Sequence, residues 1–248
     1  KREENAITLA ATANNGRIIE EPIPGGIVSP KGKLIYIIAL VIGIGIPISI
    51  IYLLNLLRFR IEGHTDVEKL TTVPIIGDIP LTDAGKNGTP TIAVRENDNN
   101  IMAETFRSLR TNLLFIMGDP DKKVILVTST ISGEGKTFMA SNLAVSLALL
   151  GKKVILVGLD IRKPGLNKIF HLSHKEKGIT QYLAAPQSTD LHALIQPSGI
   201  TSNLDLLLGG PIPPNPTELL ARQSLEDTIS TLRKEYDYIV LDTAPIGM

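Results

Sequence analysis

The amino-acid sequence predicts an α/β protein in which a mostly parallel sheet is covered by helices and preceded by one membrane-spanning helix. Short apolar runs alternate with helical patterns after residue 101, and residues 34–57 contain no charged side chain. Basic and acidic residues each number 25, so no overall field favours nucleic acid. The absence of cysteine excludes disulfides and thiolate metal sites.

The apolar segment 34–57 is the first element. As a helix, its 24 residues extend about 36 Å, which is enough to cross a bilayer with some tilt. The alternative, a buried core helix of a soluble protein, is rarely this long without a charge. Basic residues flank both ends, Lys31 and Lys33 before it and Arg58 and Arg60 after it, so charge gives no orientation.

This segment divides the chain into regions. Residues 1–33 are too few to bury a core of their own, and we interpret them as the tail of something larger. Residues 58–100 are predicted to be a linker, with a stretch rich in Gly, Pro and Asn. Residues 101–248 are predicted to form the α/β domain. Because the sequence stops at Met248, directly after an apolar strand, we expect it to be a fragment at both ends.

Within the α/β domain the sequence predicts four strands and three helices. The strands are apolar runs closed by polar residues, KKVILVTS, KKVILVGLD, NLDLLLGG and YDYIVLD. The first helix is indicated by apolar residues at helical spacing, Phe106, Leu109, Leu113 and Ile116. A second helix, TFMASNLAVSLALL, is apolar nearly all round. The third begins with Asn215 as a cap, Pro216 at the first helical position and Glu218 completing a capping box.

The stretch TSTISGEGKT is a candidate phosphate-binding loop because it follows a predicted strand and opens a helix. Gly133 and Gly135 leave room for backbone N–H groups to point at phosphate oxygens, which a helix N-terminus also attracts. Lys136 is placed to contact the β- and γ-phosphates, and the Thr137 hydroxyl to bind Mg²⁺. Thr130 stands where the usual pattern has its first glycine, and the alternative is an ordinary glycine turn.

Two carboxylates end predicted strands beside this loop. Asp160 closes VILVGLD, and Asp242 closes YIVLD. Because the carboxyl ends of parallel strands line the ligand crevice, we expect both side chains to converge on one site that binds Mg²⁺. Each aspartate alone is weak evidence, since Asp is common in turns. Together with the loop they predict a P-loop NTPase that binds ATP and Mg²⁺.

The motifs SGEGKT, VILVGLDIRKP and VLDTAP resemble the Walker A, Walker A′ and Walker B motifs of the bacterial tyrosine kinases (BY-kinases) of capsule and exopolysaccharide synthesis. AETFRSLRTNL, GGPIPPNPTELL and VEKLTTVPIIGDIP are also similar to that family, in the same order. The resemblance implies an ATP-dependent tyrosine autokinase of the bacterial inner membrane with a cytoplasmic kinase domain. It also implies that residues 1–33 end a periplasmic domain and that 34–57 are a second membrane helix.

The resemblance further implies roles for individual residues. The implied nucleotide contacts are Ser132, Gly133, Glu134, Gly135, Lys136 and Thr137. The implied catalytic residues are Lys136, Asp160 and Asp242. The implied Mg²⁺ ligands are Thr137, Asp160 and Asp242.

The family's E-x-x-R-x-x-R motif, which docks neighbouring subunits into a ring, is matched by Glu104, Arg107 and Arg110. The implied partners are other copies of the chain, phosphorylated in trans, an outer-membrane polysaccharide exporter and a tyrosine phosphatase. The alternative for Glu104 and Arg107 is a local helix pair worth about 0.2–0.5 kcal/mol.

Two departures from the family leave alternatives open. Gly158 stands at the first position of the family's D-x-D pattern, and glycine cannot accept a proton from tyrosine. The family's tyrosine cluster is not in this sequence, and we interpret Tyr236 and Tyr238 as strand-entry residues. One alternative is a nucleotide-gated scaffold that regulates chain length. The other is a positioning ATPase of the deviant Walker A type, which Ile131 argues against because that class has lysine there.

Overall fold

The structure is a computed structural model that describes residues 31–57, 63–80, 92–96, 100–119, 121–172 and 177–247, with positions 3, 7–8, 25–26, 29 and 61. Outside the described residues lie Met248, the middle of the predicted linker and most of residues 1–33, which are predicted to end a periplasmic domain. The chain divides into two units, Lys1–Thr72 and Val73–Met248.

In the first unit, helix α1 (Gly32–Leu56) is 25 residues long and carries Pro47 in its interior. None of its residues is buried. Among the described residues it is the one helix that is long and apolar enough to cross a membrane, by length and composition. It begins two residues before the predicted segment. A short helix, α2 (His64–Leu70), follows it.

The second unit is built on a five-stranded sheet in the order β1-β5-β2-β4-β3. Its strands are β1 (Val124–Val127), β2 (Val154–Gly158), β3 (Ile195–Pro197), β4 (Leu204–Leu207) and β5 (Tyr238–Asp242). All neighbouring pairs are parallel except β3 with β4. The predicted α/β class with a mostly parallel sheet is confirmed, and the short antiparallel strand β3 is an addition.

Helices pack on both faces of this sheet. They are α3 (Ile101–Met117), α4 (Lys136–Ala148), α5 (Leu166–Ile169), α6 (Ile179–Ala184), α7 (Pro216–Leu220) and α8 (Gln223–Glu235). One core cluster contains α3, α4 and α5, and the other contains α6, α7 and α8. Ile92 and Val94, assigned from the sequence to the linker, are buried in the first cluster.

The last predicted helix differs from the prediction. It is divided into α7 and α8, which are separated by Ala221 and Arg222. Pro216 is the first residue of α7, as expected, but the Asn215 side chain makes no cap hydrogen bond. Its amide instead donates to the Glu218 carboxylate over 2.8 Å. The predicted capping box is therefore wrong, because the two side chains bond to each other and not to the backbone.

The strand register brings three strand ends to one level. Asp242, the last residue of β5, lies opposite Val127 of β1 on one side and Gly158 of β2 on the other. The backbone N–H groups of Leu159 and Asp160 both donate to the Asp242 carbonyl, at 2.8 and 2.9 Å. Two acidic residues far apart in sequence are thereby fixed side by side at the carboxyl edge of the sheet.

Candidate nucleotide-binding site

The candidate phosphate loop connects β1 to α4, as the sequence predicts. Gly133 and Gly135 have φ angles of 94° and 89°, a left-handed conformation that favours glycine. Gly135 directly precedes the first residue of α4, Lys136. The loop residues from Ser132 to Gly135 are exposed, so their backbone is open to a ligand. This arrangement of left-handed glycines before a helix N-terminus is suited to an anion.

The Glu134 side chain is turned back onto the loop. Its carboxylate accepts hydrogen bonds from the backbone N–H groups of Thr130 and Ile131, at 2.8 and 3.1 Å. Thr130 in turn accepts from the N–H of Gly247 at 3.0 Å. A Cβ on Gly247 would lie 2.5 Å from that carbonyl, so a side chain would prevent this approach. The residue in place of the motif's first glycine is thus held from both sides.

Lys136 and Asp160 form a nearly buried ion pair. The ammonium lies 2.8 Å from the carboxylate, and the two side chains are only 11% and 6% exposed. The other carboxylate oxygen of Asp160 accepts from the N–H of Lys163 at 3.0 Å. The cation predicted to hold phosphate is therefore already inside the site, paired with an acid from the end of β2.

Thr137 and Asp242 form the second contact in the site. The Thr137 hydroxyl donates to the Asp242 carboxylate over 3.3 Å, and Asp242 is 1% exposed. Burial, with a smaller contribution from the charge of Asp160, raises the pKa of Asp242 to about 6, against opposing effects of Thr137 and Lys136. A nearby cation stabilises the ionised form of a buried carboxylate whose pKa is raised in this way.

The oxygen atoms of Thr137, Asp160 and Asp242 are the donor type that Mg²⁺ prefers. Among the residues that the structure describes, no three His, Cys, Asp or Glu side chains come together as a metal cluster. Two carboxylates and a hydroxyl next to a phosphate loop nevertheless fit Mg²⁺, which keeps several waters and shares its shell with nucleotide phosphates.

Gly158 lies in a confined position. A Cβ there would stand 3.0 Å from Leu166 Cδ1 and 3.1 Å from the backbone N of Gly209. Both distances are short for a Cβ, and the second involves backbone, which cannot swing aside. At the position where the D-x-D pattern has its first carboxylate, this chain therefore has a glycine that the backbone of Gly209 approaches closely.

The three residues of the predicted docking motif lie on α3, outside this cluster. Glu104 and Arg107 form an ion pair with each other on the helix surface. Arg110 points towards α4, where its guanidinium donates to the Ser146 carbonyl over 2.6 Å. Burial, followed by the charge of Arg107, lowers the pKa of Arg110. The motif thus divides into an outward pair and an inward arginine.

Asn142 is a residue whose importance was not predicted. It lies on α4 with no exposed surface, and its Oδ1 accepts from the backbone N–H groups of Ala93 and Val94, at 2.7 and 3.1 Å. It therefore fastens the segment before α3 to the helix that carries Lys136. An amide within a helix that is apolar nearly all round was the available signal, because buried polar groups are almost always bonded.

Comparison with known protein families and structures agrees with this geometry. A family model described as an AAA domain matches residues 122–247. The tyrosine-protein kinase wzc of Salmonella typhi is 29% identical over 260 residues, which cover 99% of this chain and 36% of that protein. The tyrosine-protein kinase etk of Escherichia coli K12 is 27% identical over 269 residues, with the same coverage. This chain thus spans about a third of the length of these curated relatives.

Two solved structures are also similar. The BceF tyrosine kinase domain is 30% identical, covers 76% of this chain and 78% of that one, and superposes with a TM-score of 0.66. The kinase domain of the Escherichia coli tyrosine kinase ETK is 28% identical, covers 76% and 74%, and gives a TM-score of 0.68.

Proposed function

This chain belongs to the bacterial tyrosine kinases, and we propose that it is an ATP-dependent protein-tyrosine autokinase of the bacterial inner membrane. In this proposal it regulates the polymerisation and export of a capsular polysaccharide or exopolysaccharide. The observation that carries the proposal is the convergence of Lys136, Thr137, Asp160 and Asp242 beside the glycine loop. Positioning plus electrostatic stabilisation is what phosphoryl transfer requires of a protein.

Lys136 changes partners in the proposed mechanism. Its ammonium, now 2.8 Å from Asp160, turns to the β- and γ-phosphates when ATP occupies the loop. Backbone N–H groups next to Gly133 and Gly135 hold the phosphate oxygens through the left-handed turns seen in the loop. These fixed donors stabilise charge on the transferring phosphoryl group without reorganisation.

Thr137, Asp160 and Asp242 would hold Mg²⁺ in this mechanism. When bound, the ion neutralises negative charge on the phosphates. Asp242 is buried beside Asp160 with a pKa raised to about 6, mainly by burial, so both carboxylates favour a cation at this position. Release of Asp160 from Lys136 frees one more oxygen for the ion.

The phosphate acceptor is proposed to be a tyrosine from a neighbouring copy of the protein. Tyr236 is 5% exposed, and its hydroxyl donates to Asp205 over 2.8 Å. Its role is therefore structural, and its hydroxyl is not accessible as a phosphate acceptor. Because Gly158 offers no carboxylate, Asp160 is the acid nearest to Lys136 that can take the tyrosine proton. The hydroxyl of this tyrosine, which comes from a neighbouring copy, would attack the γ-phosphorus in line, with its proton passing to Asp160 and ADP leaving.

The proposed setting follows from α1 and from the substrate. Helix α1 spans the membrane, and the kinase domain lies in the cytoplasm because ATP is there. Copies assemble into a ring through the α3 motif. We propose that an outer-membrane polysaccharide exporter and a tyrosine phosphatase act with it, and that nucleic acid does not.

Because the family's acceptor tyrosines are not in this sequence, incubation of the complete protein with γ-labelled ATP and Mg²⁺ tests the kinase proposal. We expect phosphotyrosine that is absent from the Lys136→Ala variant and present in Lys168→Ala, whose exposed lysine lies outside the site. Release of free phosphate without any phosphotyrosine would rule out the autokinase.

A nucleotide-gated scaffold is the second candidate, and Gly158 favours it. The position has lost its carboxylate and is narrowed by the backbone of Gly209, which is 3.1 Å from where a Cβ would stand. If polymer length in cells is unchanged by Lys136→Ala but altered by Arg107→Ala, the scaffold replaces the kinase. If Lys136→Ala alters polymer length as strongly, the kinase proposal is retained.

A further inference from the structure

A cavity lies at the amino ends of β1, β2 and β5, the edge of the sheet opposite the phosphate loop. Its volume is about 460 Å³, which is within the range of small-molecule sites. Because β2 is five residues long, this edge is about 15 Å from the carboxyl ends of the strands, where Lys136 and Asp160 are paired. This amino-edge cavity is therefore separate from the candidate nucleotide site.

Three lysines and three apolar side chains line the amino-edge cavity. The lysines come from the loop between α3 and β1 and from the turn before β2, and they are Lys122, Lys123 and Lys152. The apolar side chains come from the end of α3 and the start of β5, are half-buried, and are Leu114, Met117 and Tyr238. The fold thus brings together charged and apolar groups from three separate parts of the chain.

The three ammonium groups form no ion pair within the part of the chain that the structure describes. Lys123 donates to the backbone carbonyl of Arg233 over 3.3 Å, which is a neutral partner. Lys122 and Lys152 are exposed. Ammonium groups that share a concave site without a counter-ion attract an anion.

Two carboxylates also line the cavity, but both are bonded to the backbone. Asp119 accepts from the N–H of Asp121 at 3.0 Å, and Asp237 accepts from the N–H of Lys153 at 2.8 Å. The N–H of Lys122 donates in turn to the Asp119 carbonyl at 3.0 Å. These bonds fix the loops that carry the lysines, so the site is formed before a ligand arrives.

The lining favours a phosphate group attached to an apolar body. Lysine binds phosphate as a point charge, whereas the planar guanidinium of arginine is the better match for a carboxylate. The half-buried apolar side chains are suited to an organic group attached to the phosphate. An anionic bilayer instead attracts clusters of about four to eight basic residues, and here three lysines share the cavity with two aspartates.

We propose that the amino-edge cavity binds a phosphate monoester whose organic part is apolar. Lys122, Lys123 and Lys152 contact the phosphate, and the apolar side chains of α3 and β5 contact the organic part. The inference goes beyond the proposed kinase, because the cavity lies at the other edge of the sheet and its use requires neither ATP nor the phosphate loop.

Three soluble probes test which part of a ligand the cavity recognises. They are phenyl phosphate, glycerol 3-phosphate and inorganic phosphate, each titrated into the full chain in detergent and followed by ligand-observed proton or phosphorus NMR. We expect phenyl phosphate to bind about tenfold more tightly than the other two, because only its ring can be buried against the apolar side chains. Equal binding of all three probes would overturn the apolar half of the proposal.

Variants of the full chain locate the site. The double variant Lys122→Gln, Lys152→Gln should bind phenyl phosphate at least about tenfold more weakly, because it loses two charged donors. Lys234→Gln is the matched control, since Lys234 is an exposed lysine of α8 that does not line the cavity. Lys136→Ala removes the cation of the phosphate loop and should leave phenyl phosphate binding unchanged. The unfolding temperature of the double variant should match that of the control, because all three of these lysines are exposed.

Several results would overturn the proposal. One is an unaltered chain that does not bind phenyl phosphate, and another is a double variant that binds it as tightly as the unaltered chain. Equal weakening by Lys234→Gln would mean that the lysines act only through overall charge. Loss of binding in Lys136→Ala alone would place the probe in the phosphate loop. Failure to form phosphotyrosine from ATP would remove the kinase proposal and leave these expectations unchanged.

Discussion

Helices α1 and α4 have similar compositions and opposite surroundings. Both are apolar nearly all round, and each has one lysine in its first two residues and one asparagine. Nine successive residues of α4, 140–148, are buried, whereas no residue of α1 is. An apolar helix of 13 residues is enclosed by its own domain, while one of 25 residues needs apolar surroundings from elsewhere.

The largest effect expected from this difference is on core packing. Leu143 of α4 is 1% exposed, and Leu143→Ala should lower the free energy of unfolding of residues 73–248 by about 2–5 kcal/mol. Ile42 of α1 is 51% exposed, and Ile42→Ala should leave that free energy unchanged. Urea unfolding of the full chain in detergent measures both. Equal losses would mean that α1 is packed into the same core.

The two asparagines give the next effect. Asn142→Ala leaves the N–H groups of Ala93 and Val94 without their acceptor, at a cost of about 1–3 kcal/mol for the buried N–H of Val94 and less for the half-buried Ala93. Asn55→Ala, in α1, should cost the second unit nothing. Amide hydrogen exchange at residues 93 and 94 should accelerate in the first variant only. Unchanged protection there would show that Asn142 does not hold the segment.

The smallest effect concerns the charge beside α4, for which α1 has no counterpart. The pKa of Asp242 is raised to about 6 from 3.8, so this group's contribution to stability is fully present below about pH 4 and is lost as pH rises through 6. Protonation competes with Mg²⁺, so Mg²⁺–ADP should bind about tenfold more weakly at pH 5 than at pH 7. The rise in unfolding temperature on addition of ADP, with enough Mg²⁺ to saturate the nucleotide, measures this affinity at each pH.

Asp242→Asn controls for the titration of ADP itself. This variant should remove the pH dependence of Mg²⁺–ADP affinity that arises from Asp242 and leave only the part that arises from ADP. If the asparagine variant shows the same pH dependence as the unaltered chain, Asp242 is not the group responsible.

The sequence predicted the sheet and the loop well because their signals are local. Apolar runs marked β1, β2, β4 and β5, and the glycines before Lys136 marked the turn into α4. Strand β3 was missed because it has three residues, one of them proline, and exists only by pairing with β4. The Lys136–Asp160 pair and the role of Asn142 depend on contacts across the fold, which spacing along the chain does not contain.

The E-x-x-R-x-x-R motif shows the same limit. Its spacing placed three side chains near one face of a helix, yet Arg110 turned inward because Ser146 of α4 offers a buried carbonyl. Glu104 and Arg107, which no neighbour covers to that extent, remained at the surface. The spacing of residues along a helix therefore did not determine which side chain faces outward; the helix that packs against it did.

The most direct test of the site is the affinity of the full chain for Mg²⁺–ADP, measured by isothermal titration calorimetry with Asp242→Asn and Asp205→Asn. Both aspartates lie in strands of the same sheet, but Asp205 is in β4, separated from β5 by β2, and bonds Tyr236 outside the site. We expect Asp242→Asn to bind about 10–100-fold more weakly and Asp205→Asn to bind like the unaltered chain. Equal affinity in all three proteins would contradict the assignment of Asp242 to the magnesium–nucleotide site.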